Sequence, residues 1–179
     1  MRSLAELDAS LDVIRASPRE RGTVELIVRR AAVDEREIVE TCELDVARGL
    51  VGDSWISRWN RHTPDGSPNL AQQLTLMSTR AIAALAERER WALAGDQLFV
   101  DFDLSAAALP VGTLLSVGTA RIEVSAQPHL GCAKFTARYG SNATKWVNSE
   151  SGKLLRLRGI NARVVQSGIV RRGDAISRA

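Results

Sequence analysis

The residues best suited to chemistry lie in one short segment, QPHLGCAKF, which runs from Gln127 to Phe135. In it a cysteine, Cys132, follows the histidine His129 and precedes the lysine Lys134. The thiolate of a cysteine is both a nucleophile and a metal ligand, and neighbouring cations favour its formation. Because a thiolate is soft, it suits sulfur or a metal bound through sulfur. The segment therefore predicts a reactive cysteine.

The residues around Cys132 bear on this prediction. Pro128 and Gly131 predict a turn, and Arg138, one helical turn beyond Lys134, adds a further cation. A free cysteine is often a small buried hydrophobe, and this alternative stays open. A position on a turn, rather than within a strand, favours a functional role.

The remaining cysteine and histidines carry weaker signals. His129 either tunes the cysteine and orients a ligand or is a solvated turn histidine. His129-x-x-Cys132 supplies at most two of the four ligands that a structural zinc site needs, so zinc is not predicted. Cys42 alternates with Leu44 in a strand pattern, which indicates a core position, and His62 lies in a polar loop, where we expect it to be exposed.

Three short arginine clusters are the other charged feature. They are Arg29-Arg30, Arg156 with Arg158, and Arg171-Arg172. We interpret them as solvated strand edges, with recognition of an anionic ligand as the alternative.

Composition and motifs exclude several function classes. The chain has 179 residues, 45% hydrophobic and 25% charged, which is typical of a soluble globular domain. A net charge of +3 with 4% aromatic residues offers little for a nucleic-acid surface. Dinucleotide, P-loop, HExxH and GxSxG signatures are absent. With no signal peptide or membrane-spanning apolar run, the sequence predicts a cytoplasmic protein with reduced thiols and neither membrane nor nucleic-acid partners.

The N-terminal residues predict a helix. Ser3 and Glu6 have capping-box spacing, apolar residues follow at helical spacing, and Pro18 marks the end. We expect residues 17–22 to be a connector. The predicted organisation is a helical extension over residues 1–22 and a main domain over residues 23–179.

The main domain reads as many short strands with few helices. The segment TARIEVSAQ alternates most clearly, with Ala120, Ile122, Val124 and Ala126 on one face. Such alternation predicts an antiparallel sheet with one wet face, so the expected fold class is α+β, mainly β, and barrel-like, with peripheral helices. The predicted strands are TVELIVRR (23–30), EIVETCELDV (37–46), QLTLMS (73–78), LFVDFDL (98–104), TARIEVSAQ (119–127), INARVVQ (160–166) and IVRRGDAI (169–176).

The order of segments resembles the MOSC family, which is named for the C-terminal domain of molybdenum cofactor sulfurases. The similar segments are GLVGD (49–53), QLTLM (73–77), GDQL (95–98), LPVGT (109–113), LSVG (115–118), QPHLGC (127–132) and RGINARVVQSGIVRRGD (158–174). They span about residues 23 to 176. The resemblance implies a β-barrel-like MOSC fold of the small stand-alone bacterial type.

The resemblance also implies a site. In related proteins the family cysteine, here Cys132, binds molybdenum of the pterin cofactor or handles sulfur destined for it. Some members reduce N-hydroxylated compounds. The implied roles are metal ligand and catalytic residue for Cys132, catalytic residue for His129, and cofactor binding for Lys134, Arg138, Gln73 and Asp96. Complete sulfurases add a pyridoxal phosphate domain, for which this chain is too short.

The leading prediction is therefore a molybdenum-cofactor-binding protein that reduces N-hydroxylated compounds with the help of a redox partner; the oligomeric state stays open. One alternative is a sulfur carrier that delivers a Cys132 persulfide to a protein partner. Another is a divergent, non-catalytic binding module. Two departures from the family pattern favour it: Gln72 stands where many small members have arginine, and Asp96-Gln97 replaces an approximate Glu-Asn.

Overall fold

A computed structural model describes residues 2–60 and 63–179. Its strands are β1 (Arg21–Arg29), β2 (Glu37–Val39), β3 (Thr41–Asp45), β4 (Gly49–Leu50), β5 (Leu74–Ser78), β6 (Leu98–Asp101), β7 (Leu114–Val117), β8 (Ala120–Val124), β9 (Ile160–Gln166), β10 (Gly168–Arg171) and β11 (Ala175–Arg178). Its α-helices are α1 (Leu4–Asp8), α2 (Leu11–Arg15), α3 (Thr79–Leu85), α4 (Ala133–Tyr139), α5 (Ser141–Val147) and α6 (Glu150–Leu154). The 3₁₀ helices are Ser54–Ser57, Leu70–Gln72 and Arg88–Ala94.

Seven strands form a closed barrel. Their order is β11-β7-β8-β9-β5-β6-β1, and pairing of β1 with β11 closes the ring. Neighbouring strands are antiparallel except β5 and β6, which are parallel because helix α3 lies between them in the chain. With about 28% helix, the protein confirms the predicted mainly-β, barrel-like α+β class. Strand β2 extends the barrel at β1, while β10, β3 and β4 form a separate three-stranded sheet.

Apolar residues pack in two layers, one inside the barrel and one between the barrel and the helices. Strand β6 contributes to both, since alternate side chains of a strand point to opposite faces. Leu98 and Val100 lie in the barrel interior, whereas Phe99 packs with helix residues such as Phe135 and Trp146. We call these layers the barrel core and the helix-side core. Together they fix the ends of β5, β6, β8 and β9, around which the site is built.

Several predicted elements have different bounds. IVRRGDAI was expected to be one strand but forms β10 and β11, which belong to different sheets. EIVETCELDV was expected to be one strand but forms β2 and β3, which belong to different sheets. The chain changes sheets at Glu40, whose carbonyl accepts a 2.9 Å hydrogen bond from the Arg172 backbone next to β10. The N-terminal helix keeps its Ser3–Glu6 capping box but divides into α1 and α2. Strand β1 begins at Arg21, inside the segment expected to be a connector.

None of the helices within residues 2–60 and 63–179 has the length and apolar character needed to cross a bilayer.

Candidate functional site

The site is built on the loop that follows β8. Two asparagines from other elements hold this loop by hydrogen bonds to its backbone. The Asn161 amide donates to the Gln127 carbonyl at 3.1 Å. Asn148 binds Gly131 twice, accepting from its N–H at 2.8 Å and donating to its carbonyl at 2.9 Å. The chain therefore reaches Cys132 with a defined backbone path.

Cys132 lies immediately before helix α4 and its side chain is exposed. Burial by itself would raise the pKa of this thiol, but backbone N–H groups of Phe135 and Lys134, together with the Arg158 guanidinium, outweigh burial and lower the pKa. Cys42 is the opposite case, because it is buried and burial raises the pKa of its thiol to about 12. The core position predicted for Cys42 is confirmed, and the buried alternative for Cys132 is wrong.

The carboxylate of Asp96 is fully buried and lies next to two basic side chains, Arg158 and His129. Arg158 donates to Asp96 at 2.5 Å through Nη1 and to the Ala94 carbonyl at 2.9 Å through Nη2. The guanidinium also lies over the Phe135 ring, 4.8 Å from its centroid. The second oxygen of Asp96 faces His129 Nδ1 at 3.4 Å, a long contact, and neither atom has another hydrogen-bond partner among the described residues. Asp96 thus fixes the position of Arg158 and lies close to His129.

His129 is a neutral imidazole at neutral pH. Burial and the nearby Arg158 charge lower its pKa to about 4, although Asp96 acts in the opposite direction. Because the neighbour of Nδ1 is a carboxylate, which can only accept, we assign the single ring proton to Nδ1. The other ring nitrogen, Nε2, is then a hydrogen-bond acceptor.

Cys132 and His129 line a cleft of about 790 Å³ that we call the basic cleft. Its described lining includes six cationic side chains: Arg30, Arg36, Arg58, Lys134, Arg138 and Arg158. Among the described residues, Asp34 is the one acid in the lining. The cleft therefore suits an anionic ligand.

The six cations differ in how far the protein already engages them. Arg30 forms two 2.8 Å hydrogen bonds to buried Asp53, and Arg138 binds Asp34 at 2.6 Å. Lys134 is only loosely paired, 3.8 Å from Asp34. Arg36 has a buried Nε with no hydrogen-bond partner in residues 2–60 and 63–179, and burial together with the Arg138 and Arg30 charges lowers its pKa. An anion in the cleft would supply the missing partner and reduce this repulsion.

Two tryptophans border the basic cleft. Trp55 is buried and donates through its indole to the Asn69 carbonyl at 3.3 Å. Trp59 is 77% exposed, so its ring is available to a ligand with a flat face. His62, predicted to be exposed in the same loop, lies outside the described residues.

The structure brings together four of the six predicted site residues. Cys132, His129, Lys134 and Arg138 all line the basic cleft. Asp96 does not line the cleft itself, but it holds Arg158, which does, by a hydrogen bond. Gln73 is fully buried elsewhere, where its amide donates to the Val46 carbonyl at 2.9 Å and accepts from the Val164 N–H at 2.7 Å.

Sequence reasoning missed several lining residues. Arg30 and Arg158 were interpreted as parts of solvated clusters, yet both are buried and line the cleft. The interpretation failed because each forms an ion pair with a distant buried aspartate, Asp53 and Asp96 respectively. Gln72, at the position of the missing family arginine, also lines the cleft. Arg36 and Arg58 enter from other segments and supply positive charge there.

Comparison with known families identifies the domain. The model of the MOSC domain matches residues 63–177. The chain belongs to the MOSC domain family. The match includes the segment with His129 and Cys132 and the segment with Arg158, while Arg30 and Arg36 precede it.

Solved structures share the MOSC fold at low sequence identity. YuaD from Bacillus subtilis is 17% identical, with a TM-score of 0.64 over 89% of this chain and 96% of that one. YiiM from Geobacillus stearothermophilus is 15% identical, with a TM-score of 0.60 over 88% and 75% of the two chains. YiiM from Escherichia coli is 18% identical, with a TM-score of 0.56 over 88% and 69%. No curated protein sequence matches the chain.

Proposed function

We propose that this MOSC protein binds the molybdenum–pterin cofactor in the basic cleft, with Cys132 as the sulfur ligand of the metal, and reduces N-hydroxylated compounds there. The observation that carries the proposal is the position of Cys132. It is an exposed thiol of lowered pKa in the lining of a large cleft with six cationic side chains. A soft thiolate suits a metal with other sulfur ligands, and the cations suit a phosphate.

The residues of the cleft fit this cofactor in charge and size. A volume of about 790 Å³ lies within the range of about 300–1,000 Å³ usual for ligand pockets. The cations with most unused hydrogen-bonding capacity are Arg36, Arg58 and Lys134, so we assign them the phosphate. Within the part of the chain that the structure describes, Arg58 has one long contact, 3.4 Å to the Ser54 hydroxyl. Trp59 offers its exposed ring to the flat pterin.

The part of the cleft next to Cys132 also contains Arg158 and His129, with Asp96 bound to Arg158. Asp96 holds the Arg158 guanidinium, and the Arg158 charge favours the Cys132 thiolate. His129 remains neutral and presents an acceptor nitrogen, so it orients the hydroxyl of a substrate by accepting its hydrogen bond. When bound, the cofactor would supply two-electron redox chemistry. Two electrons and two protons convert N–OH into N–H and water, and the electrons come from a separate redox protein.

The first test is molybdenum content, measured by elemental analysis of protein from cells that make the cofactor. We expect near-stoichiometric molybdenum in the wild type and loss of it in Cys132→Ser. Arg36→Gln combined with Arg58→Gln lowers the content as well. Arg121→Gln, on the exposed face of β8 and outside the cleft, leaves it unchanged.

Two results would contradict the proposal. One is wild-type protein without molybdenum from cells whose other molybdenum enzymes are loaded. The other is Cys132→Ser that retains both the metal and the reduction of an N-hydroxylated substrate.

A second candidate function is sulfur transfer, favoured by the same exposed thiol of lowered pKa. The Cys132 thiolate attacks the outer sulfur of a donor persulfide, the new S–S bond forms, and the donor leaves as a thiolate. Intact-protein mass spectrometry after incubation with a persulfide donor would then show one added sulfur atom, absent in Cys132→Ser. An unmodified wild type would oppose this function. Both functions need a reduced thiol, so we place the protein in the cytoplasm.

The non-catalytic binding module is less well supported. That alternative is favoured because Gln72 stands where many family members have an arginine. However, Gln72 borders a cleft in which arginines from other segments supply the positive charge. An exposed Cys132 beside buried Arg158 has no evident use in a barrel that merely retains the fold.

A further inference from the structure

Asp34 is an acid among the cations of the basic cleft. Its carboxylate accepts a 2.6 Å hydrogen bond from Arg138 Nη2 and lies 3.8 Å from Lys134 Nζ. It also acts on Arg36: burial and the Arg138 and Arg30 charges lower the pKa of Arg36, whereas the Asp34 charge raises it. A carboxylate of the protein therefore already interacts with three of the cations that line the cleft.

Within the Asp34–Arg138 pair, Asp34 is the partner that can move away. The Arg138 side chain is 20% exposed, and its Nη1 donates to the Leu93 carbonyl at 2.8 Å, so this carbonyl still holds the guanidinium when Asp34 leaves. The Asp34 side chain is 62% exposed, and exposed ion pairs contribute little to stability. A ligand with a stronger negative charge can therefore replace the Asp34 carboxylate.

The backbone around Asp34 is also suited to movement. Asp34 lies between β1 and β2, and its φ of +63° is in the left-handed region, which most residues other than glycine avoid. We call residues 31–35 the loop tip. One backbone–backbone hydrogen bond within the described residues holds it, from the Glu35 N–H to the Ala32 carbonyl at 3.2 Å. Val33, at the same tip, is 79% exposed. The loop tip can therefore shift without disturbing the barrel.

We propose that Asp34 competes with the ligand of the basic cleft: its carboxylate occupies Arg138 and Lys134 until a phosphate monoester displaces it together with the loop tip. The proposal rests on the proposed function, because it takes the phosphate of the ligand to bind in this cleft. A monoanion merely exchanges one negative charge for another. A phosphate dianion brings a second negative charge and gains attraction to the same cations. Asp34 thereby makes the cleft selective for dianions.

The test is binding of inorganic phosphate to full-length protein from cells that lack the cofactor. Isothermal titration calorimetry is carried out in mildly alkaline buffer, in which phosphate is mainly a dianion. We expect Asp34→Asn to bind phosphate about fivefold more tightly than the wild type, a difference of about 1 kcal/mol. Acetate, a monoanion, binds measurably to Asp34→Asn and not to the wild type.

Glu35→Gln is the matched control. It removes the same charge from the next residue of the loop tip, which is outside the described lining of the cleft. Because solvent and salt screen an exposed charge that does not contact the ligand, we expect the phosphate affinity to change less than about twofold.

Two further measurements separate displacement of Asp34 from a general loss of negative charge. In Arg138→Gln the closest partner of Asp34 is gone, so adding Asp34→Asn raises the phosphate affinity less than about twofold. In ¹⁵N-labelled wild type, phosphate shifts the NMR signals of the Val33 and Asp34 amides and increases their fast motion, because the loop tip is released. The dispersion of the NMR spectrum shows that each variant is folded.

Several results would overturn the proposal. They are equal phosphate affinities of wild type and Asp34→Asn, no phosphate binding by either protein, and acetate binding by the wild type. A gain of about fivefold that persists in the Arg138→Gln background would show a long-range charge effect instead. Unchanged Val33 and Asp34 amides in phosphate-bound wild type would show that the loop tip stays in place.

This proposal and the cofactor function fail separately. Protein that never retains molybdenum but shows the phosphate effects of Asp34→Asn removes the cofactor function and keeps the role of Asp34. Protein that retains molybdenum through Cys132, with phosphate binding indifferent to Asp34→Asn, keeps the cofactor function and removes the role of Asp34.

Discussion

Cys132 and Cys42 carry the same thiol in opposite environments, which makes their reactivities directly comparable. The pKa of Cys132 is lowered, while that of Cys42 is raised to about 12. Each pKa unit changes the thiolate fraction about tenfold, so at neutral pH we expect iodoacetamide to modify Cys132 at least about a thousandfold faster. The half-maximal rate for Cys132 falls at a pH below the usual thiol pKa. Intact mass spectrometry over time and pH measures both.

Single-cysteine variants are the controls for this comparison. Cys132→Ser stays unlabelled in the folded protein, and Cys42→Ala reacts at the wild-type rate. Rapid labelling of folded Cys132→Ser would show that Cys42 is accessible and that the described burial is wrong.

The buried pair of Arg30 and Asp53 supports one wall of the cleft, and its removal is expected to be costly. Asp53→Ala leaves the Arg30 charge buried without a carboxylate partner and lowers the free energy of unfolding by about 3–5 kcal/mol, measured by urea denaturation. Arg172→Ala, which breaks an exposed pair with Glu40, costs at most about 1 kcal/mol. Equal costs for the two variants would contradict the buried position of the Arg30–Asp53 pair.

The same pair predicts a pH dependence. Burial alone would raise the pKa of Asp53, but hydrogen bonds and charge from Arg30 outweigh burial and lower the pKa. A lowered folded-state pKa stabilises the protein above the unfolded-state pKa of about 4, and this stabilisation is lost as the pH falls through the folded-state value. The stability difference between wild type and Asp53→Ala therefore shrinks in acid. A difference that grows in acid would contradict the assignment.

At the scale of elements, Gly159 fixes how β9 meets β5. Its φ is +98°, and an added Cβ would lie 2.1 Å from the Leu76 carbonyl oxygen of β5. Gly112 has a similar φ of +85°, but an added Cβ would meet nothing within 4 Å. An alanine there therefore measures the cost of the positive φ alone, without a steric clash. We expect Gly112→Ala to cost about 1–2 kcal/mol in unfolding free energy and Gly159→Ala about 4 kcal/mol or more. Similar urea midpoints for the two variants would rule out the clash.

At the scale of the whole molecule, the extension expected over residues 1–22 ends earlier, because β1 begins at Arg21. We propose that residues 2–20 are an extension of the MOSC domain that nevertheless completes its helix-side core. Leu7 of α1 is 1% exposed and belongs to this core, and the Trp146 indole donates to Asp8 at 3.0 Å. Leu7→Ala is expected to cost about 2–5 kcal/mol in urea denaturation. Leu4→Ala, at a 41% exposed position of the same helix, costs less than about 1 kcal/mol. Equal costs would mean that the extension does not pack as described.

Local patterns were sufficient to predict the strand-rich class and the position of Cys132 outside a strand, although the expected turn at Pro128 and Gly131 is an irregular loop. Alternation in TARIEVSAQ matches β8 over Ala120–Val124, where Ala120, Ile122 and Val124 are buried. Ala126, expected on the same face, lies beyond the end of the strand and is exposed. Long-range pairing was not predictable in the same way. No local pattern shows that Arg158 meets Asp96, or that Arg30 meets Asp53, because both pairs form only after the barrel brings distant strands together. The parallel pairing of β5 with β6 and the assembly of the basic cleft also form only when the barrel brings distant segments together.

The pairing of β1 with β11 has a consequence for how the chain folds. Arg21 lies opposite Ser177, so this seam joins segments separated by most of the sequence. During synthesis β1 leaves the ribosome first and β11 last among the strands, and until then β1 lacks one barrel neighbour. Nascent chains therefore pass through a stage with a free strand edge, which is prone to intermolecular pairing. Because the barrel can close only after this long loop forms, we expect slow folding compared with helical proteins of this size and a dependence on chaperones during translation.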